Sequence, residues 1–362
     1  MSDNRYKIIG GGISGLASAL AVANVGAEAV VFEKSKAFDI IGAGIQLGPN
    51  AAHALQKLGA WEAVAPYTFA PAELYIRNGL NGKILYRMVL GKSFEARFGK
   101  PYLTAHRADL HNALLQTIES QKRISITTQA EVTTLSNEGF DAVIAADGIR
   151  SKARTNLFPG SEAKSNRDTY FRKMFELPAG PSGIDFSCIN LWLYPGGHVV
   201  HYPVGQPLKV NLVAITQGDE PSVHFEKACS DLQDILNISG EFTKWQSAYV
   251  APLDCWHKQN VTLIGDAAHG TQPYLAQGAA MSLEDAAVLQ FCLQKKNTMS
   301  KTFEDLFSLR HKRTTRLHHA TLNVGRAHHM AGLGAIARNI AFNFISESAM
   351  INRLSWIYDW NI

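Results

Sequence analysis

Apolar and polar positions at the start of the chain fall into a strand, a turn, a helix and a second strand. Tyr6 to Ile9 form a short apolar run, a glycine turn follows, a helical pattern extends from about Ser14 to Val25, and Ala29 to Phe32 form another apolar run. That order makes a βαβ unit and opens a parallel sheet. Apolar runs return at Ala142 to Ala146 and at Val261 to Ile264, each followed closely by Asp and Gly, so the chain leaves this first lobe and re-enters it twice. From about 165 to 255 the pattern turns to β-type runs such as Asn190 to Tyr194, His198 to Tyr202 and Val210 to Ile215, parted by Gly and Pro turns. They predict a second sheet. Beyond Gln277 the pattern is helical to the end, with Leu283, Ala286, Ala287 and Phe291 on one apolar face and a polar break near Asn297.

With 362 residues, 46% of them apolar and 18% charged, the chain can bury one large core or two moderate ones in water. Its net charge of +4 is too slight for a nucleic-acid partner, though it allows a basic cleft that draws small anions. Four cysteines stand far apart with no CxxC pair, which points away from zinc and disulfides and toward a reducing cytoplasm. Arg5 and Lys7 before an Ala-rich run ending at Ala21-Val22-Ala23 imitate a signal peptide, but glycines interrupt the run and cleavage would destroy the motif described next. No other segment approaches the ~18 apolar residues of a membrane span, so no membrane partner is expected.

Gly10, Gly12 and Gly15 form GxGxxG directly after a strand, and Glu33 stands eighteen residues beyond Gly15 at the end of the next strand. Gly10 permits the tight turn, Gly12 lets backbone approach a pyrophosphate, and Gly15 allows close helix packing, while the helix N-terminus offers N–H groups to the anion. Glu33 is placed to accept from a ribose diol. The arrangement points to a dinucleotide and leaves FAD and NAD both open.

Four further segments follow in order: Gly42-Ala43-Gly44-Ile45-Gln46-Leu47-Gly48-Pro49-Asn50-Ala51; His106-Arg107-Ala108-Asp109-Leu110; Ala146-Asp147-Gly148-Ile149-Arg150-Ser151; and Gly265-Asp266-Ala267-Ala268-His269 with Gln277-Gly278. With the glycine turn they make the sequence resemble, over essentially its whole length, the flavoprotein aromatic hydroxylases, the family of p-hydroxybenzoate and salicylate hydroxylases. The resemblance implies an α/β fold: a discontinuous Rossmann-like FAD-binding domain from residues 1–70, 104–160 and 256–300, a substrate-binding β-sheet domain from 71–103 and 161–255, and a helical segment from 301–362. It implies FAD as cofactor, held by Gln46, Arg107, Asp147, Gly148, Asp266 and the helix start at Gln277, Gly278 and Ala279, besides the glycine turn. Arg107 would reach the phosphate or ribityl region, Asp266 the ribityl chain, and Pro273 would lie against the flavin ring. Arg150 and Arg154 could both reach phosphate.

The same resemblance implies NADH or NADPH as transient co-substrate, with NADH preferred, and a flavin that opens for reduction. A flavin hydroperoxide would then deliver oxygen to a phenolic or heteroaromatic acid, faster if a base removes the ring proton. In the strand from Gly197, side chains alternate, so His198, Val200 and Tyr202 share one face and Val199 and His201 the other. His198 is expected as base or orienting group, and Tyr202 as its hydrogen-bond partner. His318-His319 and His328-His329, among Arg310, Lys312, Arg313, Arg316 and Arg326, read as a solvated helix face, and no metal site is expected. Gly270 and Ala276 depart from the family's usual residues, and the Ala-Gln-Gly form with Tyr274 resembles the salicylate and 3-hydroxybenzoate hydroxylase subgroup. The link from Thr127 to Asp141 is shorter than usual. Rival readings are a flavin oxidoreductase acting on a quinone, urate or polyketide ring, and a non-catalytic FAD-binding protein; the state expected is monomer or homodimer.

Overall fold

The computed structural model describes residues 4–37, 43–176, 184–238 and 240–362, and arranges them around two large sheets and a small one. Gly42 of the second segment and residues 177–183 of the second-sheet region lie outside these. The six-stranded sheet runs His257–Lys258, Val261–Leu263, Ala142–Ala145, Arg5–Ile9, Glu28–Phe32 and Ile124–Thr127. Every neighbouring pair is parallel except the first. Parallel strands covered on both faces read as unbroken apolar runs, and Ala142–Ala145 is buried at each position.

The seven-stranded sheet runs Thr243–Tyr249, Lys164–Glu176, Lys209–Thr216, Gly197–Val204, Ile189–Tyr194, Glu73–Asn78 and Ile84–Val89. It is antiparallel apart from the Ile189–Tyr194 and Glu73–Asn78 pair. One face carries Phe171, Trp192, Val199 and Leu212 into a core shared with the short helix Ser230–Asn237. The opposite face looks onto the first lobe. Between the two lies a three-stranded sheet of Gly44–Leu47, Leu103–His106 and Thr68–Phe69. Two hydrogen bonds join it to the large sheet: Gly44 N–H donates to Asn211 Oδ1 at 2.8 Å, and Thr104 Oγ1 donates to the Pro203 carbonyl.

The helix Gly278–Gln294 packs against Ile13–Asn24, Pro49–Lys57 and Met299–His328, and is therefore buried on several sides rather than along one stripe. Glu284 and Asp285 are buried, while Phe291, expected on the apolar face, is 38% exposed. Met299–His328, Gly332–Phe342 and Glu347–Tyr358 complete the helical C-terminal part. The mixed α/β fold with a parallel sheet, an antiparallel sheet and C-terminal helices is the one expected. Among the described residues no helix is long and apolar enough to cross a membrane.

Candidate active site

At the carboxyl end of Arg5–Ile9 the glycine turn is shaped by two close approaches. Gly10 has φ +101°, and a Cβ there would lie 2.5 Å from the Ala146 carbonyl; a Cβ on Gly15 would lie 1.8 Å from the Gly10 carbonyl. Gly12 is the opposite case, since a Cβ there would meet nothing within 4 Å. It is the N-cap of helix Ile13–Asn24, which has no side-chain cap, and beside it Ser14 Oγ is buried without a partner. Unpaired amides facing open space make an anion site. Glu33 Oε2 accepts from the Gly11 amide at 2.8 Å and Oε1 from the Ser35 amide at 2.9 Å. Burial alone would raise its pKa, but those two amides hold the carboxyl below its ordinary value.

A cavity of about 700 Å³ runs from this turn to the antiparallel sheet. Gly12, Gln46, Arg107, Gly148, Asp266, Pro273, Gly278 and Ala279 line it on one side, and His198 and Tyr202 on the other. Gly10, Gly15 and Glu33 stand behind the wall and shape it. Asp147 Oδ2 accepts from the Ala153 amide at 3.0 Å, and its Oδ1 is buried without a partner. Asp266 follows the strand Val261–Leu263; burial pushes its carboxyl above the ordinary value, opposed by His269 and Arg107. Gln46 Oε1 accepts from the Tyr102 hydroxyl at 2.7 Å. Gln277 is turned inward, its Oε1 accepting from Asn50 at 2.9 Å, so the helix start reaches the cavity through Gly278, Ala279 and Ser282 instead.

Arg154 does not face the cavity. Its guanidinium is buried and donates to the carbonyls of Ser161, Ala267 and Ile149 at 2.8, 2.9 and 2.7 Å, a clamp on three loops, while Arg150 is exposed.

On the sheet side, alternation holds: His198, Val200 and Tyr202 line the cavity. His201 points the other way, between Phe186 and Trp192, and burial drives its pKa down to about 3. His198 and Tyr202 do not form a pair, because four residues of strand separate them by roughly 13 Å and Val200 stands between. They mark two ends of the wall. Tyr202 sits at the Gln46 end, its phenol pushed up to about 12 by burial. His198 sits at the other, where its Nδ1 lies 3.0 Å from Nε2 of His329 and its ring packs 4.9 Å from His328 and 5.7 Å from Tyr274. His329 Nδ1 in turn lies 3.8 Å from Asp168, which also accepts from the Tyr274 hydroxyl. Burial, then the neighbouring His328 and His329, hold His198 well below the ordinary histidine value.

The chain is 30% identical to 3-hydroxybenzoate 6-hydroxylase of Polaromonas naphthalenivorans strain CJ2, over 100% of this chain and 98% of that protein. It belongs to the FAD-dependent aromatic hydroxylase family. A relative from Bordetella bronchiseptica, 6-hydroxynicotinate 3-monooxygenase, is 28% identical over 87% of this chain and 90% of its own length. Among solved structures, a salicylate hydroxylase substrate complex superposes with TM-score 0.80 at 21% identity, covering 99% of this chain and 96% of that one, and so shares the fold. No protein-family model matches.

For a hydroxylase of this family the donor set fits FAD. Two helix starts, at Gly12 and Gly278, open onto one cavity with room where a Cβ would stand, and Ser14 and Thr271 hydroxyls are buried without partners beside it. The basic helix of the hydroxylase is a solvated face only in part: Lys312, Arg316, His319 and Arg326 are exposed, but other members turn inward. Arg310 is fully buried, 2.6 Å from both Glu284 and Asp285, and Arg313 lies 2.7 Å from Glu284. His318 is buried, His328 lines the cavity beside His198, and His329 meets His198 at Nδ1. The Glu284-Asp285 doublet inside an otherwise apolar helix was the available signal, since buried carboxylates require buried cations. Among the described residues no group of three metal-ligating side chains gathers.

Proposed function

We propose that the protein hydroxylates a monocyclic aromatic acid bearing a ring hydroxyl, using NADH or NADPH and O2, in the chamber between the two lobes. What carries the reading is His198: a neutral histidine on the chamber wall, engaged at Nδ1 by His329 and with Nε2 unpartnered among the described residues. Asp168 beside Nδ1 of His329 favours a proton there, which leaves His329 Nε2 to accept from His198 Nδ1–H. The lone pair of His198 Nε2 then faces the chamber, the form a general base requires.

The cofactor side takes FAD along residues 1–70, 104–160 and 256–300. Gly10, Gly12 and Gly15 with the first helix start hold its phosphates, Glu33 supports the turn by way of Gly11, and Arg107 and Asp266 hold the phosphate and ribityl region. Gln46, Asp147, Gly148 and Gln277 fix the surrounding loops, Gly278 and Ala279 present amides to the ring edge, and Pro273 lies against the ring. Bound FAD, once reduced, supplies the activation of O2 that puts one oxygen atom on the substrate. The sheet of 71–103 and 161–255 binds the aromatic ring, and the 301–362 helices close the chamber. His198 takes the ring hydroxyl's proton and relays it to His329; Tyr202, protonated at neutral pH, donates a hydrogen bond from the far end. Four unpaired thiols, two of them buried, support a cytoplasmic setting, as monomer or homodimer.

The test is a panel of hydroxybenzoates and hydroxypyridine carboxylates, followed by NADH and NADPH oxidation and by product mass. Substrate-stimulated oxidation with a product heavier by one oxygen is expected. Yellow protein that oxidises neither nucleotide in response to any of them overturns the reading.

A further inference from the structure

Helix Gly332–Phe342 carries one charged side chain, and the fold turns it inward. Arg338 donates to the carbonyls of Ala327 and His328 at 2.8 and 2.9 Å, closing the end of helix Met299–His328. Phe342 packs against Tyr86, whose ring lines the cavity, with centroids 5.9 Å apart. The outward side is carbon only. Leu333, Ile336, Ala337, Ile340, Ala341 and Phe344 follow the i, i+3, i+4, i+7 spacing of a single helical stripe, and all six are exposed. Leu333 is 85% exposed and Phe344 84%, so no described residue covers them. None of the exposed residues from 331 to 344 is charged. The six leave roughly 600 Å² of apolar surface open, the top of the range for the largest patch on a lone chain and close to the ~800 Å² that each partner buries in a stable interface.

We infer that this stripe packs against the same stripe of a second copy of the chain, antiparallel about a twofold axis. A twofold contact requires a patch complementary to itself. With the axis between positions 338 and 339, Leu333 of one copy meets Phe344 of the other, Ile336 meets Ala341, and Ala337 meets Ile340. Large side chains thus face small ones, so the ridges of each helix enter the gaps of its mate, and no like charges are brought together. An anionic lipid surface is the poorer match: a helix that lies on a membrane flanks its apolar stripe with Lys and Arg, whereas Arg338 is spent inside the protein, and the exposed Arg326 and Arg353 belong to other helices. The pairing lies outside the chamber but backs its wall, since the same helix holds the His328 carbonyl and packs on Tyr86.

Sedimentation of the FAD-loaded wild type is expected to give twice the chain mass at about 10 μM and the single chain on dilution. Ile336→Glu and Ile340→Glu each raise the dissociation constant by about 10²-fold, because pairing then buries a carboxylate without a partner, while bound FAD per chain stays at the wild-type level. Leu309→Glu, at an exposed apolar position roughly 28 Å along helix Met299–His328 from His328, leaves the dimer intact. Hydrogen exchange of the wild-type segment 332–344 slows as concentration rises through the transition, a readout that needs no variant. A wild type still monomeric at about 100 μM overturns the inference, and its flotation with phosphatidylglycerol vesicles would then identify a lipid surface as the occupant. FAD-loaded Glu variants that remain dimeric overturn it too, as does exchange that ignores concentration. Failure to oxidise nicotinamide with any aromatic acid counts against the proposed function alone and leaves the pairing standing.

Discussion

His198 Nδ1 and His329 Nε2 meet at 3.0 Å, tying the start of the sheet strand Gly197–Val204 to the C-terminal end of a 30-residue helix. Replacing His198 by Asn is expected to lower kcat by about 10²- to 10³-fold, the range for loss of a positioned base, with FAD retained. Replacing His329 by Phe removes the acceptor at Nδ1 and frees the His198 ring to turn, so kcat falls about tenfold or more and the acid limb of the pH profile moves. Steady-state rates across pH settle it; a His198 variant within threefold of wild type removes the base from the scheme.

Acid sensitivity follows from the buried histidines. His201 and His328 are both driven down to about 3 from an ordinary 6.5, burial being the main cause. Since the folded values lie below the unfolded one, the unfolded chain binds more protons between pH 6.5 and about 3, and stability falls as pH falls through that window. Each such group removes about 1.4 kcal/mol per pH unit there. His201→Phe, which fits between Phe186 and Trp192, should therefore flatten the slope by one proton and shift acid unfolding to lower pH. Denaturant midpoints at several pH values measure it, and an unchanged slope refutes it.

Two glycines three residues apart should respond in opposite ways. Gly15→Ala drives a methyl into the Gly10 carbonyl and should destabilise the fold by roughly 2 kcal/mol or more. Gly12→Ala meets nothing within 4 Å, so thermal stability of the FAD-free chain holds while the methyl intrudes on the cavity and FAD affinity drops at least tenfold. Melting curves with and without FAD separate the two, and equal losses of stability would contradict the assignment.

Arg310→Met leaves Glu284 and Asp285 buried and short of a cation. The expected cost is about 3–5 kcal/mol, and because Asp285 also accepts from the Gly265 amide at 3.0 Å, FAD affinity should weaken with it. Urea unfolding checks the first part and FAD titration the second; an unshifted midpoint would show that the network is dispensable.

Periodicity and spacing carried the sequence reading as far as local rules reach. The glycine turn is legible because each glycine answers a contact within one βαβ unit, and the facing of His198, Val200 and Tyr202 follows from strand alternation alone. Arg310, Arg313 and His329 were not legible, since their partners Glu284, Asp285 and His198 lie on other elements and helical periodicity describes only one helix at a time. Arg154 next to a phosphate-type motif invites the same error: its motif is local, but the three carbonyls it holds come together only in the folded chain. Phe291 fails for a related reason, as a helix enclosed by three others has no single apolar stripe. Gln277 sits where the motif puts it, but the pull of Asn50 decides which way its side chain turns.

The bonds from Gly44 to Asn211 and from Thr104 to Pro203 act as rivets across the seam between the lobes. A clamshell motion would have to break both, so the halves travel together. Exchange in and out of the chamber is then expected to use local movement at its rim rather than a gaping of the whole molecule.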